Sequence, residues 1–126
     1  MGLFSSKKTN TPSINWIKLS DVDTVDQIKQ ESFEQPVLIF KHSTRCSISS
    51  GALDRLNRNW KESLSEKVKT YYLDLIAHRE ISNKIAETFE QQHQSPQALI
   101  IKDGKCTYNQ THFDIQFNDI QTEVLQ

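Results

Sequence analysis

The sequence has little of what stabilises small secreted proteins or spans membranes. Its two cysteines, Cys46 and Cys106, stand 60 positions apart, which does not suggest a disulfide framework. No apolar run exceeds four residues, whereas a membrane-spanning helix needs about 20. The polar segment 1–12 is rich in Ser, Thr and Lys and lacks the apolar stretch of a secretory signal. We therefore expect a cytoplasmic protein with free thiols and no membrane partner.

A surplus of one charge is also missing. Fifteen basic side chains stand against sixteen acidic ones, and no long block of one sign occurs, so nucleic acid is excluded as an expected partner. The length of 126 residues is typical of one domain. We predict a flexible tail over residues 1–12, a single domain over residues 13–126, and a monomer.

The chain does contain a regular alternation of strand-like and helix-like segments. Val37–Phe40 is a continuous β-rich run, typical of a central strand buried on both faces. Apolar residues then recur at helical intervals, namely Leu53, Leu56, Trp60 and Leu64. Asp103-Gly104 between two β-rich segments predicts a hairpin, and Asp114 is suited to cap a last helix. The predicted order is β-α-β-α-β-α-β-β-α, an α/β fold with a mixed five-stranded sheet and four helices.

The chemistry is expected where the buried strand ends and the second helix begins. Cys46 lies there, and in open α/β sheets the crevice at the carboxyl ends of the strands is the usual functional site. Unpaired backbone N–H groups, the positive end of the helix dipole and the neighbouring Arg45 all favour the thiolate over the thiol. The position therefore predicts a nucleophilic thiol. The alternative is an inert cysteine packed beneath the helix.

Ser49 occupies the position where a C-x-x-C protein keeps its second cysteine. A serine donates hydrogen bonds but forms no disulfide, so we expect Ser49 to hydrogen-bond the thiolate rather than resolve a mixed disulfide. Resolution would then need an external thiol or a distant cysteine such as Cys106. The pattern predicts monothiol chemistry.

The element order, the cysteine-bearing turn and Pro96 before a hairpin together resemble the thioredoxin fold from about residue 14 onward. The segment Phe40–Ser49, with the sequence FKHSTRCSIS, resembles the monothiol bacilliredoxins more narrowly. This chain has Ser47 where the motif of that family has proline. The resemblance implies that Cys46 attacks a protein–bacillithiol mixed disulfide, releases the protein thiol and carries bacillithiol until another thiol removes it.

The resemblance also implies further site residues and partners. Pro96 would be a cis proline beside the active site. We expect the substrate to be contacted by Thr44, Ser47, Ser95 and Pro96. The partners would be bacillithiolated proteins and a low-molecular-weight thiol in a bacterial cytoplasm, and no other cofactor is expected. The rival hypotheses are the same chemistry with glutathione or a protein thiol, and a non-catalytic stress or redox-sensing adaptor domain on the same scaffold.

The remaining cysteine and the histidines are assigned structural roles. Cys106 falls in the predicted last strand, at a sheet edge away from the motif turn, and a disulfide would need Cα atoms within about 7 Å. His42 either tunes the thiolate as a cation or closes the end of a strand, and the structural role is preferred. The other histidines are scattered and, with the distant cysteines, do not have the spacing of a zinc site.

Overall fold

The structure is a computed structural model, and it describes residues 14–126. The tail predicted over residues 1–12 lies outside the described residues and stays an expectation. Within the described part, no helix is long and apolar enough to cross a membrane.

A five-stranded mixed sheet forms the centre, as predicted. Its strands are β1 Ile17–Lys18, β2 Val37–His42, β3 Lys69–Asp74, β4 Gln97–Lys102 and β5 Lys105–Thr111. They lie in the order β1-β3-β2-β4-β5. β3 pairs in parallel with both β1 and β2, whereas β4 pairs antiparallel with β2 and β5. β2 is therefore the middle strand, which explains its continuous apolar run.

Helices cover both faces of the sheet. They are α1 Thr24–Glu31, α2 Ser47–Asn59, α3 Glu62–Ser65, α4 Arg79–Thr88 and α5 Phe117–Leu125, with a 3₁₀ turn at His112–Asp114. The four long helices correspond to those predicted. Strand side chains alternate between the faces, so Leu38 and Phe40 pack with α2 and α5 while Val37 and Ile39 pack with α1 and α4. Each fully buried apolar side chain contributes about 1.5–3 kcal/mol.

Two details differ from the sequence prediction. Apolar residues at helical spacing from Leu53 to Leu64 predict one unbroken helix. The helix instead ends at Asn59, and the backbone of Trp60 is extended at φ −65° and ψ 141°. The Trp60 indole packs edge-on against Phe117 and donates its N–H to the Ser65 hydroxyl, 2.8 Å away. Tertiary packing therefore fixes a break that the periodicity hides, and α3 is an additional short helix.

The start of the last helix also differs. Asp114 belongs to the 3₁₀ turn, and Gln116 is the residue that precedes the first turn of α5. The helix cap is therefore Gln116, two residues after the predicted Asp114. The intervening Ile115 is extended and fully buried in the core, which lengthens the connection before the helix begins.

Candidate functional site

Cys46 is held at the junction between the central strand and helix α2. β2 ends at His42, and after a three-residue loop Cys46 stands directly before α2 with an extended backbone, φ −113° and ψ 120°. Its N–H donates to the Ser43 carbonyl at 3.1 Å, and its carbonyl accepts from the Ser50 N–H at 3.1 Å. The side chain is partly exposed and the thiol is free. Cys46 is thus the N-cap residue of a 13-residue helix, as its position in the sequence predicted.

The electrostatic surroundings of the thiol are positive. The first turn of α2 contains no acidic residue, so nothing there neutralises the partial positive charge of the helix start. Arg45 is exposed, and no carboxylate lies within ion-pair distance of it among residues 14–126. Thr44 and Ser47, on either side of Arg45 and Cys46, are also exposed. These features leave the thiol accessible at the end of the sheet, next to a positively charged side chain.

Ser49 lies elsewhere in the site than expected. Its side chain is fully buried, and its hydroxyl oxygen accepts from the Ser43 N–H at 3.0 Å and lies 2.6 Å from His42 Nδ1. None of the hydrogen bonds in the described residues joins it to Cys46. The buried hydroxyl thus fastens the first turn of α2 to the end of β2, which positions the cysteine instead of bonding the thiolate.

His42 is a buried member of this junction. Burial lowers the pKa of its imidazole, and the nearby Asp74 carboxylate opposes that effect only in part. Its ring lies 5.6 Å from the Tyr72 ring and 6.2 Å from the Phe40 ring, measured between centroids. A neutral imidazole with its proton on Nε2 accepts a hydrogen bond at Nδ1 from the Ser49 hydroxyl. This environment agrees with the structural role rather than with a cation beside the thiolate.

Ser95 and Pro96 lie at the same end of the sheet. They immediately precede β4, whose first residue, Gln97, is the register partner of Lys41 near the end of β2. The Ser95–Pro96 peptide bond is cis, as the family resemblance implied, and the Pro96 carbonyl accepts from the His112 N–H at 3.3 Å. The Ser95 hydroxyl is buried and has no hydrogen-bond partner in the described residues.

Cys106 is at the opposite end of the sheet. It is the register partner of Ile101, which in turn pairs with Val37 at the start of β2. Val37 and His42 are five residue steps apart in β2, roughly 17 Å, so the two cysteines lie near opposite ends of the sheet, far beyond the reach of a disulfide. Burial raises the pKa of the Cys106 thiol, which donates to the Tyr108 carbonyl at 3.2 Å. Cys106 has the environment of a structural residue.

One buried residue beside the site was not singled out in the sequence. Lys41 reads as the start of a polar loop, yet the structure extends β2 through it and buries it completely. A lysine next to polar residues gives no sequence signal of burial, because lysine is almost never fully buried. No group of three or more metal-binding side chains occurs within residues 14–126.

Comparison with known proteins identifies the family. A statistical model of the monothiol bacilliredoxin BrxC family matches residues 17–120, which include the Cys46 turn and all five strands. The chain belongs to the monothiol bacilliredoxin family. As a bacilliredoxin it is a redox thiol protein with an oxidoreductase role in general, and that thiol-redox role involves protein substrates.

Solved structures share this fold. A thioredoxin-fold protein described as a candidate oxidoreductase is 34% identical, with a TM-score of 0.70 over 84% of this chain and 90% of that one. Thioredoxin from Malassezia sympodialis is 16% identical, with a TM-score of 0.68 over 91% and 92% of the two chains. Thioredoxin from Nicotiana alata is 16% identical, with a TM-score of 0.65 over 90% and 92%. The two thioredoxins support the fold alone.

Proposed function

We propose that this bacilliredoxin removes bacillithiol from protein mixed disulfides by monothiol exchange at Cys46. The observation that carries the proposal is a partly exposed, free thiol at the N-cap of α2, in a chain whose family is named for this thiol. No cofactor is invoked beyond the small thiol, which acts as a co-substrate.

The exchange conserves atoms and electrons in each step. The Cys46 thiolate attacks the bacillithiol sulfur of the mixed disulfide, a new sulfur–sulfur bond forms, and the protein thiolate leaves and takes up a proton. Cys46 then carries bacillithiol. A second thiol then attacks the bacillithiol sulfur of this adduct, and the sulfur–sulfur bond to Cys46 breaks. Bacillithiol leaves in a small disulfide with the second thiol, and Cys46 returns to its thiolate form.

The surrounding residues have different parts in the proposal. The N-terminus of α2 and the Arg45 guanidinium stabilise the negative sulfur, both when it attacks and when it leaves. Ser49 acts through its bonds to His42 and Ser43, which hold the helix start in place. Substrate contact is assigned to four residues at this end of the sheet. Thr44 and Ser47 flank Arg45 and Cys46 in the turn, and Ser95 and Pro96 immediately precede β4.

The monothiol character is supported by Ser49 and Cys106, the two positions at which a second, resolving thiol was considered. Ser49 takes the place of a resolving cysteine, and its hydroxyl is already bonded within the helix junction. Cys106 lies at the far end of the sheet in a buried setting that raises the pKa of its thiol. A Cys46–bacillithiol adduct therefore persists until an external thiol removes it.

The test is the intact mass of the reduced protein after mixing with a bacillithiolated model protein. We expect one bacillithiol on the wild type and on Cys106→Ser, and none on Cys46→Ser, with a thiol released from the model protein in equal amount. Transfer to Cys46→Ser would refute the assignment of the nucleophile. If the wild type takes up no thiol from either bacillithiolated or glutathionylated protein, the adaptor hypothesis replaces the proposal.

The identity of the small thiol is tested by competition. The two mixed disulfides of one model protein, with bacillithiol and with glutathione, are offered together in equal amount. A bacilliredoxin that selects bacillithiol accumulates that adduct on Cys46 first, whereas equal accumulation contradicts selectivity and leaves general monothiol exchange as the activity.

A further inference from the structure

Lys41 is a charged side chain in the interior that thiol exchange does not use. It is fully buried in β2 and points to the sheet face covered by α1 and α4, whereas Ser49 and α2 lie on the other face. Its amine Nζ donates to the Ser82 carbonyl of α4 at 3.3 Å and lies 3.5 Å from His93 Nδ1. No carboxylate in the described residues forms an ion pair with it.

The chemistry of His93 makes it the acceptor in this contact. Its Nδ1 also lies 3.0 Å from the Ser82 hydroxyl. Burial, followed by the positive charges of Lys41 and Arg79, lowers the pKa of the imidazole, so it is neutral near pH 7. An ammonium group can only donate, which requires Nδ1 to be unprotonated and places the imidazole proton on Nε2. Lys41 and Ser82 thereby fix both the tautomer and the orientation of His93.

His93 belongs to the loop that leads to the active-site end of β4, and its neighbours are fastened in a similar way. Gln97, the register partner of Lys41, donates from Nε2 to the Gln92 carbonyl at 3.1 Å and to Asn109 Oδ1 at 3.0 Å. Asn109 Nδ2 in turn donates to Gln91 Oε1 at 2.7 Å. Three successive loop residues, 91 to 93, are thus bonded to polar side chains of the sheet, of which Lys41 and Gln97 are buried.

The cluster also has unused capacity beside Lys41. Gln97 Oε1 is buried and accepts no hydrogen bond in the described residues. Lys41 and Gln97 are opposite each other on neighbouring antiparallel strands, a distance at which side chains interact directly. An ammonium group with three donors and an unsatisfied amide oxygen therefore lie at facing positions, and no hydrogen bond of the described residues joins them.

We propose that Lys41 is a positioning residue that fixes, through His93, the loop 91–96 at the Cys46 end of the sheet. The inference rests on the proposed function, in which Ser95 and Pro96 at the end of this loop contact the substrate. A methionine would fill the same space without a buried charge, so packing alone does not account for a lysine here. Charge-assisted hydrogen bonds are stronger than neutral ones and are directional, which suits a side chain that holds a loop.

The test compares Lys41→Met with His93→Leu, His93→Gln and the control Lys102→Met. Lys102 is at the far end of β4, where it bonds Glu123, so its replacement removes one positive charge without touching the loop. Amide hydrogen exchange in the loop, above all of Gln91, whose N–H donates to the Ala86 carbonyl at 3.0 Å, reports the loop directly. Exchange with a bacillithiolated protein and alkylation of Cys46 by iodoacetamide report the site.

We expect Lys41→Met and His93→Leu to exchange loop amides at least tenfold faster and to raise the KM for the protein mixed disulfide about tenfold. Iodoacetamide, which does not need the loop, should alkylate Cys46 at the wild-type rate in all variants. His93→Gln, which keeps an acceptor, should retain most of the loop protection. The effects of Lys41→Met and His93→Leu should not add in the double variant, because both remove one contact.

Unchanged protection of the loop amides in Lys41→Met would overturn the inference. So would a faster loop with an unaltered KM, because the loop would then have no part in substrate contact. If the wild type itself transfers no small thiol, the proposed function fails, and hydrogen exchange still decides whether Lys41 holds the loop.

Discussion

Replacing Lys41 by methionine should change the pH dependence of stability in a defined direction. Burial lowers the pKa of Lys41 from 10.5 to about 8. At about 1.36 kcal/mol for each pKa unit, keeping the amine charged inside the fold costs roughly 3.4 kcal/mol at neutral pH. The variant is freed of this cost but loses the hydrogen bonds of Lys41 to Ser82 and His93, which offsets about 1–3 kcal/mol of the gain. We therefore expect Lys41→Met to fold at least as stably as the wild type at about pH 7.

The sign of the pH effect follows from proton counting. Between about pH 8 and 10.5 the unfolded chain keeps the Lys41 proton while the folded protein has lost it, so the wild type gains stability as pH rises. The destabilisation caused by the lowered pKa of Lys41 falls from roughly 3.4 kcal/mol at pH 7 to roughly 2 kcal/mol at pH 9. The variant lacks this gain. Its advantage over the wild type should shrink by about 1.4 kcal/mol over that interval.

The assay is urea unfolding of both proteins at about pH 7 and pH 9 under reducing conditions. The difference between the two proteins is the quantity to follow, because Cys106, whose pKa is raised by burial, makes both proteins lose stability over the same interval. Lys102→Met corrects for the loss of one positive charge. A difference between wild type and Lys41→Met that stays constant from pH 7 to pH 9 would refute the reasoning.

The other predictions concern the helix junction and the loop. Arg45→Glu should slow alkylation of Cys46 at neutral pH by roughly three- to tenfold at low salt and less at high salt, and a salt-independent rate would contradict it. Ser49→Ala should destabilise the fold by about 1–3 kcal/mol in urea unfolding, because it leaves the Ser43 N–H and His42 without their partner. On acidification from about pH 7 to pH 5, His93→Gln should lose less stability than the wild type. The pKa of His93 is lowered in the folded protein, so below about pH 6.5 the unfolded wild type binds a proton more readily than the folded one and is favoured. An equal loss in both proteins would show that His93 does not contribute.

Much of the fold could be predicted because its signals are local. The four apolar residues at Val37–Phe40 indicate a strand buried on both faces, and the Asp103-Gly104 pair marks the hairpin between β4 and β5. Both signals depend on neighbouring residues alone. The break at Trp60 could not be predicted, because the indole contacts that fix it come from Phe117, more than fifty residues away.

The candidate site was predictable to a smaller extent. The position of Cys46 before a helix follows from the order of strand and helix, so its neighbourhood could be described from the sequence. The partners of the Ser49 hydroxyl could not, because the end of β2 supplies an acceptor in His42 and a donor in the Ser43 N–H only when strand and helix are packed together. The sequence suggested a bond to the thiolate, whereas packing directs the hydroxyl inward.

Local sequence patterns encode the alternation of strands and helices, the central buried strand and the cysteine at the start of α2, because apolar periodicity and turn residues act over a few neighbours. Which polar groups meet depends on the packed fold. The tertiary structure extended β2 through Lys41, brought Ser82 and His93 to its amine from 41 and 52 residues away in sequence, and separated Cys46 from Cys106 by the length of the sheet. Strand pairing and helix packing set these distances, and no local pattern encodes them.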